Sequence, residues 1–217
     1  MSPARLPRTF YARPATEVAP ALLGHVLVRA LPDGTRTAAR IVEVEAYGPD
    51  DPASHAFRGM TPRNASMFGP PGHLYVYFTY GMHFCMNAVT GRAGEGSAVL
   101  LRAGEPVEGV EGMRARRGRD PILELCSGPG RLTQALDVGR SEDAADLVNG
   151  DHVWVERGSR VEGVATGIRV GVHETTRSWR YWLEGNAFVS RGRPGPPIRA
   201  ARAPGGPPSP RVRSTTP

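Results

Sequence analysis

The chain contains no lysine, and all 27 of its basic residues are arginine. Without a lysine amine, the side-chain route to a Schiff base with a sugar or carbonyl is closed, and only the N-terminal amine remains. Cysteine is nearly as scarce. Two residues, Cys85 and Cys126, cannot build a disulfide framework, a four-thiolate metal site or an iron–sulfur cluster. Both stand among apolar neighbours and read as buried, reduced thiols. The six histidines show no ligand-like spacing, so neither a structural metal nor a cofactor is expected. No apolar run approaches the roughly 20 residues of a membrane span. The basic segment Met1 to Arg13 lacks an apolar signal core. A soluble, cytoplasmic protein without membrane contact is the resulting expectation.

What is present begins with charge. The 217 residues carry a formal charge of +6 and a pI near 10.0. From residue 191 onward there are six arginines (Arg191, Arg193, Arg199, Arg202, Arg211 and Arg213) and no acid. The remaining 21 arginines balance the chain's 21 acids. The body is therefore formally neutral, and any nucleic-acid contact it makes must come from a local patch. Residues 1–190 read as one domain, and 191–217, rich in Pro, Gly and Arg, as a disordered tail.

Hydrophobic period and breakers divide the body. Residues 14–23 read as a short helix, weakened by Pro20 and stopped at Gly24. Residues 26–30 and 37–47 read as strands joined by a Pro-Asp-Gly turn. In the second of these, Val42, Val44 and Ala46 share one face, and Ile41, Glu43, Glu45 and Tyr47 the other. Residues 48–64 are loop-like, with Pro62 placed to open a turn of helix. Residues 74–80 and 84–89 form an antiparallel pair about Gly81. Another strand covers 98–103, and a weak helical period covers 105–116. A Ser-Gly-Pro-Gly start precedes a helix at 131–136. Further strands are predicted at 153–156, 167–172 and 181–189. Strands outnumber helices, which predicts a mixed α/β single domain built on an antiparallel sheet with surrounding helices.

The span from Ile41 to Asn87 gathers the chemistry. Glu45 stands in apolar strand sequence, where a carboxylate is costly to bury without a partner or a task. It reads either as an ordinary solvated acid or as a general base that orients a water. Arg102, at the end of its own strand, is the residue that could keep it ionised. Tyr47 and Tyr77 could sandwich a flat ring. Tyr80, at a hairpin tip, is either an idle exposed aromatic or a wedge for a base stack. Asn87 could read a base edge, having a donor and an acceptor in one amide, or simply satisfy the backbone. His55, in a loop, could donate to a base or a phosphate, or face solvent. The Ser127–Arg131 helix start offers free N–H groups to a phosphate, a weak signal alone.

Taken together, several segments resemble the alkyladenine type of 3-methyladenine DNA glycosylase. They are RIVEVEAY (40–47), TPRN (61–64), PGHLYVYFTYGMHFCMN (71–87), VLLRA (99–103), LCSGP (125–129) and RVGV (169–172). They occur in family order from about residue 8 to about residue 190. The loop between Tyr47 and His55 is one residue shorter than in the mammalian form, and Ser178–Trp182 replaces a Pro-Leu-Arg-Phe-Tyr-like block.

The resemblance implies a curved antiparallel sheet like that of the formyltransferase C-terminal domain. It implies a metal-free, monofunctional enzyme that flips alkylated purines from double-stranded DNA and hydrolyses the N-glycosidic bond. By position, Glu45 matches the base that activates water; Arg102 and the carbonyl of Val170 match groups that hold that water. Tyr47, His55 and Tyr77 match the pocket walls, Asn87 the screen against guanine-type substituents, and Tyr80 the intercalating wedge. A monomer without an obligate protein partner is implied as well. The missing lysine points the same way, since a lyase attacks the sugar with an amine. Two rivals remain: a non-catalytic nucleic-acid-binding module on the same sheet, and a small-molecule nucleosidase.

Overall fold

Strand β2, Arg36–Tyr47, organises the protein, and its β-branched and alanine-rich sequence is buried along most of its length. The computed structural model describes residues 4–79, 81–172 and 176–192. Among these, eight strands form one antiparallel sheet: β1 (Val26–Ala30), β2, β3 (Leu74–Thr79), β4 (His83–Thr90), β5 (Ser97–Glu108), β6 (Val153–Glu156), β7 (Val164–Gly167) and β8 (Arg180–Leu183). The main order is β3-β4-β5-β2-β1-β6. β5 runs along one edge of β2 from Ala38 to Tyr47. The other edge is shared: β1 pairs with Arg36–Arg40, and β8 takes over at Glu43–Glu45. β7 then pairs with β8.

Register shifts in the β2–β5 pair fall at Ala38/Ala39, Ile41/Glu43 and Glu43/Val44. Bulges of this kind bend a strand and add twist, so the sheet curls. They also correct the expected alternation. Ile41 was expected beside Glu43 and Glu45, but the shift brings it into the main core with Val42, Val44 and Ala46.

That core lies between one sheet face and the helices α2 (Ala15–Leu22) and α4 (Pro129–Leu136), with Val18, Leu22, Leu132 and Leu136 packed against β2, β4 and β5. The short helices α1 (Arg8–Tyr11) and α3 (Val110–Arg117) complete the set. On the other sheet face a smaller cluster of Ala56, Met67, Tyr75, Val89 and Ala98 supports Tyr47, Phe68 and Tyr77. The mixed α/β architecture with surrounding helices is as expected, and both cysteines are free and buried. No helix among the described residues is long and apolar enough to cross a membrane.

Three expected elements differ. The helical period over 105–116 is a strand as far as Glu108, because Glu105, Pro106 and Glu108 pair with β2. Helix α3 begins only after Gly109, whose φ of 71° turns the chain; a Cβ there would meet Arg36 O at 2.6 Å. The expected strand at 167–172 lies earlier, at Val164–Gly167, and the Val170 backbone beyond it serves the site described below. The expected strand at 181–189 ends at Leu183. Gly185, with φ 72°, turns the chain, and Asn186 Oδ1 accepts from Phe188 N–H at 2.9 Å. The turn after Pro62 is a 3-10 helix at Ala65–Phe68.

Candidate active site

The sheet's period of two decides what lines the site. Val44, Ala46, Val76, Met86, Val99 and Leu101 point into the main core. Their neighbours Glu45, Tyr47, Tyr75, Tyr77, Cys85, Asn87, Leu100 and Arg102 project from the opposite face. There they line a cavity of about 220 Å³, with Ala53, His55, Met67, Thr79, Pro129 and the 170–172 segment. The curl closes this face around the cavity. Its volume is below the roughly 300–1,000 Å³ of drug-sized pockets and suits one small planar ring system.

Glu45 is fully buried. Its Oε1 accepts from the backbone N–H of Val170 at 2.7 Å. Its Oε2 accepts from the Tyr47 hydroxyl at 2.9 Å, with Arg102 Nη1 3.4 Å away. An anion so held is charge-compensated and oriented, and about two of its four lone-pair directions stay open. Burial alone would weaken the charge on Arg102, but the Glu45 and Glu43 carboxylates outweigh it and raise its pKa. The guanidinium is a fixed cation beside the carboxylate.

The walls are aromatic. Tyr75 and Tyr77 lie side by side, centroids 5.3 Å apart. The His55 ring meets Tyr77 edge-on at 4.5 Å, and its Nδ1 is 2.8 Å from the Tyr75 hydroxyl. Burial, reinforced by the charge of Arg63, holds the His55 pKa below its ordinary value. Burial pushes Tyr75 up to about 12. Burial and then the Glu45 charge raise Tyr47 well above its ordinary range. Tyr77 is raised by burial first and by Cys85 second. These phenols stay neutral at physiological pH and act as flat apolar surfaces with a polar tip.

The structure brings together seven of the eight residues singled out in the sequence: Glu45, Arg102, Val170, Tyr47, His55, Tyr77 and Asn87 all line the one cavity. Val170 reaches Glu45 through its amide; the expectation from sequence concerned its carbonyl. Asn87 Nδ2 donates to Tyr75 O at 3.0 Å, so the backbone fixes its amide plane. The eighth residue, Tyr80, lies outside the described residues, as does the tail beyond residue 192. On the described arms of the hairpin, Phe78 is 39% and Met82 69% exposed.

Sequence reasoning missed the support behind the cavity. Arg169, one residue before Val170, is buried against Asp51. Its Nη2 donates to Asp51 Oδ1 at 2.9 Å and its Nη1 to Ala46 O at 2.9 Å. Its guanidinium sits 4.6 Å from the Tyr47 ring centroid. One pair thus ties the loop carrying His55, the strand carrying Glu45 and the segment carrying Val170. The sequence signal was present in RVGV, but its partner lies 118 residues away. Tyr75 and Cys85 were also overlooked as lining residues.

A family model described as methylpurine-DNA glycosylase (MPG) matches residues 9–187. The chain belongs to the methylpurine-DNA glycosylase family. Its relatives in that family include a protein of Burkholderia lata, 53% identical over 85% of this chain and 90% of its own length. One from Streptomyces avermitilis is 51% identical over 85% and 90%. One from Chlorobaculum tepidum is 46% identical over 89% and 94%. Each carries the name "Putative 3-methyladenine DNA glycosylase". The methylpurine-DNA glycosylase match contains the whole cavity lining and stops short of the basic tail.

Proposed function

We propose that the protein is a monofunctional DNA glycosylase of base excision repair. It extrudes an alkylated purine from duplex DNA and hydrolyses the N-glycosidic bond with water activated by Glu45, leaving an abasic site. The observation that carries this reading is Glu45, a fully buried carboxylate with both oxygens hydrogen-bonded, lining an aromatic-walled cavity. A solvated strand acid has no need of that setting. The kinship of the sheet with the formyltransferase C-terminal domain belongs to the same reading, as does action as a monomer.

In this mechanism Tyr80 enters the stack as the target nucleotide leaves it, and extrusion costs a few kcal/mol, least for a damaged base. The purine stacks against Tyr47 on one side and the His55–Tyr77 pair on the other, at about 1–3 kcal/mol per stacked base. Asn87, its plane held by Tyr75 O, screens the base edge. Glu45 directs water at C1′ and offsets the positive charge growing on the sugar. Arg102 and Val170 orient the carboxylate and its water.

Leaving-group chemistry bears on the choice of substrate. Burial moves Tyr75 and Tyr77 up and His55 down, so each opposes the ionisation or protonation that a general acid at neutral pH requires. Purines that already carry positive charge, such as 3-methyladenine, need no proton donor and gain from facing aromatic rings.

The test is direct. The protein is incubated with methylated duplex DNA and, separately, with free methylated nucleosides, and released purines are identified. Release from duplex alone supports the glycosylase; release from nucleosides alone supports a nucleosidase; no release supports a binding module. Glu45→Gln retains lesion binding and loses base release by at least about 10²-fold; residual excision near the wild-type rate removes Glu45 from the mechanism.

A further inference from the structure

Two residues before Glu45, a second carboxylate is buried just as completely. Glu43 has no exposed surface, yet it does not line the cavity. Its Oε1 accepts from Arg102 Nε at 2.9 Å, from Arg180 Nε at 2.7 Å and from the Ser190 hydroxyl at 2.9 Å. Its Oε2 accepts from Ser190 N–H at 2.7 Å. Four donors from three separate parts of the chain converge on it, three on Oε1 and one on Oε2. Both Glu43 oxygens are engaged.

The consequence falls on Arg102. Its guanidinium has donors in a rigid planar fork. With Nε committed to Glu43, the plane cannot rotate about the side-chain axis. Nη2 is directed to Ser190 Oγ at 3.4 Å, and Nη1 stops 3.4 Å from Glu45 Oε2. That is ion-pair distance, longer than the 2.7–2.9 Å of a charge-assisted hydrogen bond. Arg102 supplies charge to Glu45 without taking up its lone pairs, and Oε2 accepts from Tyr47 instead.

We propose that Glu43 is a positioning residue for the glycosylase reaction: it holds Arg102 away from full pairing with Glu45, so that the Glu45 carboxylate stays open to water. The inference rests on the proposed role of Glu45. Without the Glu43 charge, Glu45 is the one carboxylate left in contact with Arg102 among the described residues. The guanidinium then turns and closes a bidentate pair on the oxygens that water needs. Neutral water and a cation would compete for the same lone pairs, and the cation wins.

The experiment uses full-length protein, single-turnover excision from methylated duplex DNA, and affinity for the same DNA. Glu43→Gln lowers the excision rate on the order of 10-fold to 100-fold, the cost of a small misplacement at a reacting centre, while affinity changes less than about threefold. Because that variant leaves Arg102 and Arg180 against one carboxylate, Glu43→Gln/Arg180→Gln serves as the charge-balanced partner. It restores the thermal midpoint towards wild type yet remains slow. A folded double variant excising at the wild-type rate overturns the proposal. In an Arg102→Met background, Glu43→Gln costs nothing further; a multiplicative loss shows that Glu43 does not act through Arg102 and also overturns it. Wild-type protein that releases no purine defeats the reading of Glu45 itself, whereas an active wild type with an indifferent Glu43 defeats this inference alone.

Discussion

The ion cluster in and behind the cavity wall and the loops at its rim are built on opposite principles. Glu45 and Arg102 in the cavity wall and Glu43, Asp51 and Arg169 behind it are all buried, and each meets a partner of opposite charge. At the rim, Phe57 and Met60 are 50% and 60% exposed, and the 52–68 loop contains no acid but holds Arg58 and Arg63. The interior fixes groups to within a hydrogen bond, as preorganised electrostatics requires. The rim leaves apolar and basic side chains in water, where a polyanion can reach them. The two meet at His55, whose ring lines the cavity from the rim loop. Precision and reach thus sit in different parts of one small domain.

Breaking the interior is the most costly test of that contrast. Arg169→Met leaves Asp51 buried without its main partner, and chemical denaturation is expected to show a loss of about 3–5 kcal/mol. A smaller loss indicates that Arg177, 3.8 Å from Asp51, takes over. Tyr47→Phe is milder. It removes the hydroxyl donated to Glu45, a charge-assisted bond of about 1.5–3 kcal/mol, and leaves the ring. Excision is expected to slow while lesion binding holds; an unchanged rate would show that this hydroxyl does not orient the carboxylate.

At the junction, the depressed His55 pKa carries a sign. The unfolded chain takes up a proton near the ordinary value of 6.5, and the folded chain resists it. Stability therefore falls as pH drops below 6.5. His25, depressed by burial and by Arg157, adds to the same slope. His55→Gln should make the fall in melting temperature shallower; an identical slope would show that His55 does not contribute to it. Smallest of all, Met60→Ser at the rim should alter stability within about 0.5 kcal/mol. A larger loss would mean that the rim is packed rather than presented.

The local signals were well matched to what they could see. Strand β2, the β3–β4 hairpin about Gly81 and helix α4 follow from alternation, turn residues and a proline start, because those signals act within a few residues. The errors fell where a distant partner overrode local pattern. A helical period at 105–116 gave way to pairing with β2, since strand pairing along a neighbour outweighs a weak propensity broken by Gly109. The strand predicted at 167–172 lies instead at Val164–Gly167, and beyond it the backbone N–H of Val170 goes to Glu45 instead of to a ladder. Glu43 and Glu45 look alike in sequence, and a bulged strand with three different neighbours gives them different partners.

The sequence by itself determined the chemical inventory: carboxylates and aromatics within one short span, no lysine amine, no cysteine set for a metal, and motifs that mark one glycosylase family. Residue types and short-range order carry that information, so no coordinates are needed to read it. Only the tertiary structure decided which acid faces the cavity and which is tied down behind it. It also revealed that Arg102 stands between them and that Arg169 backs Tyr47. Those facts depend on pairings across 59, 118 and 147 residues, and contacts at such separation are made by the curl of the sheet.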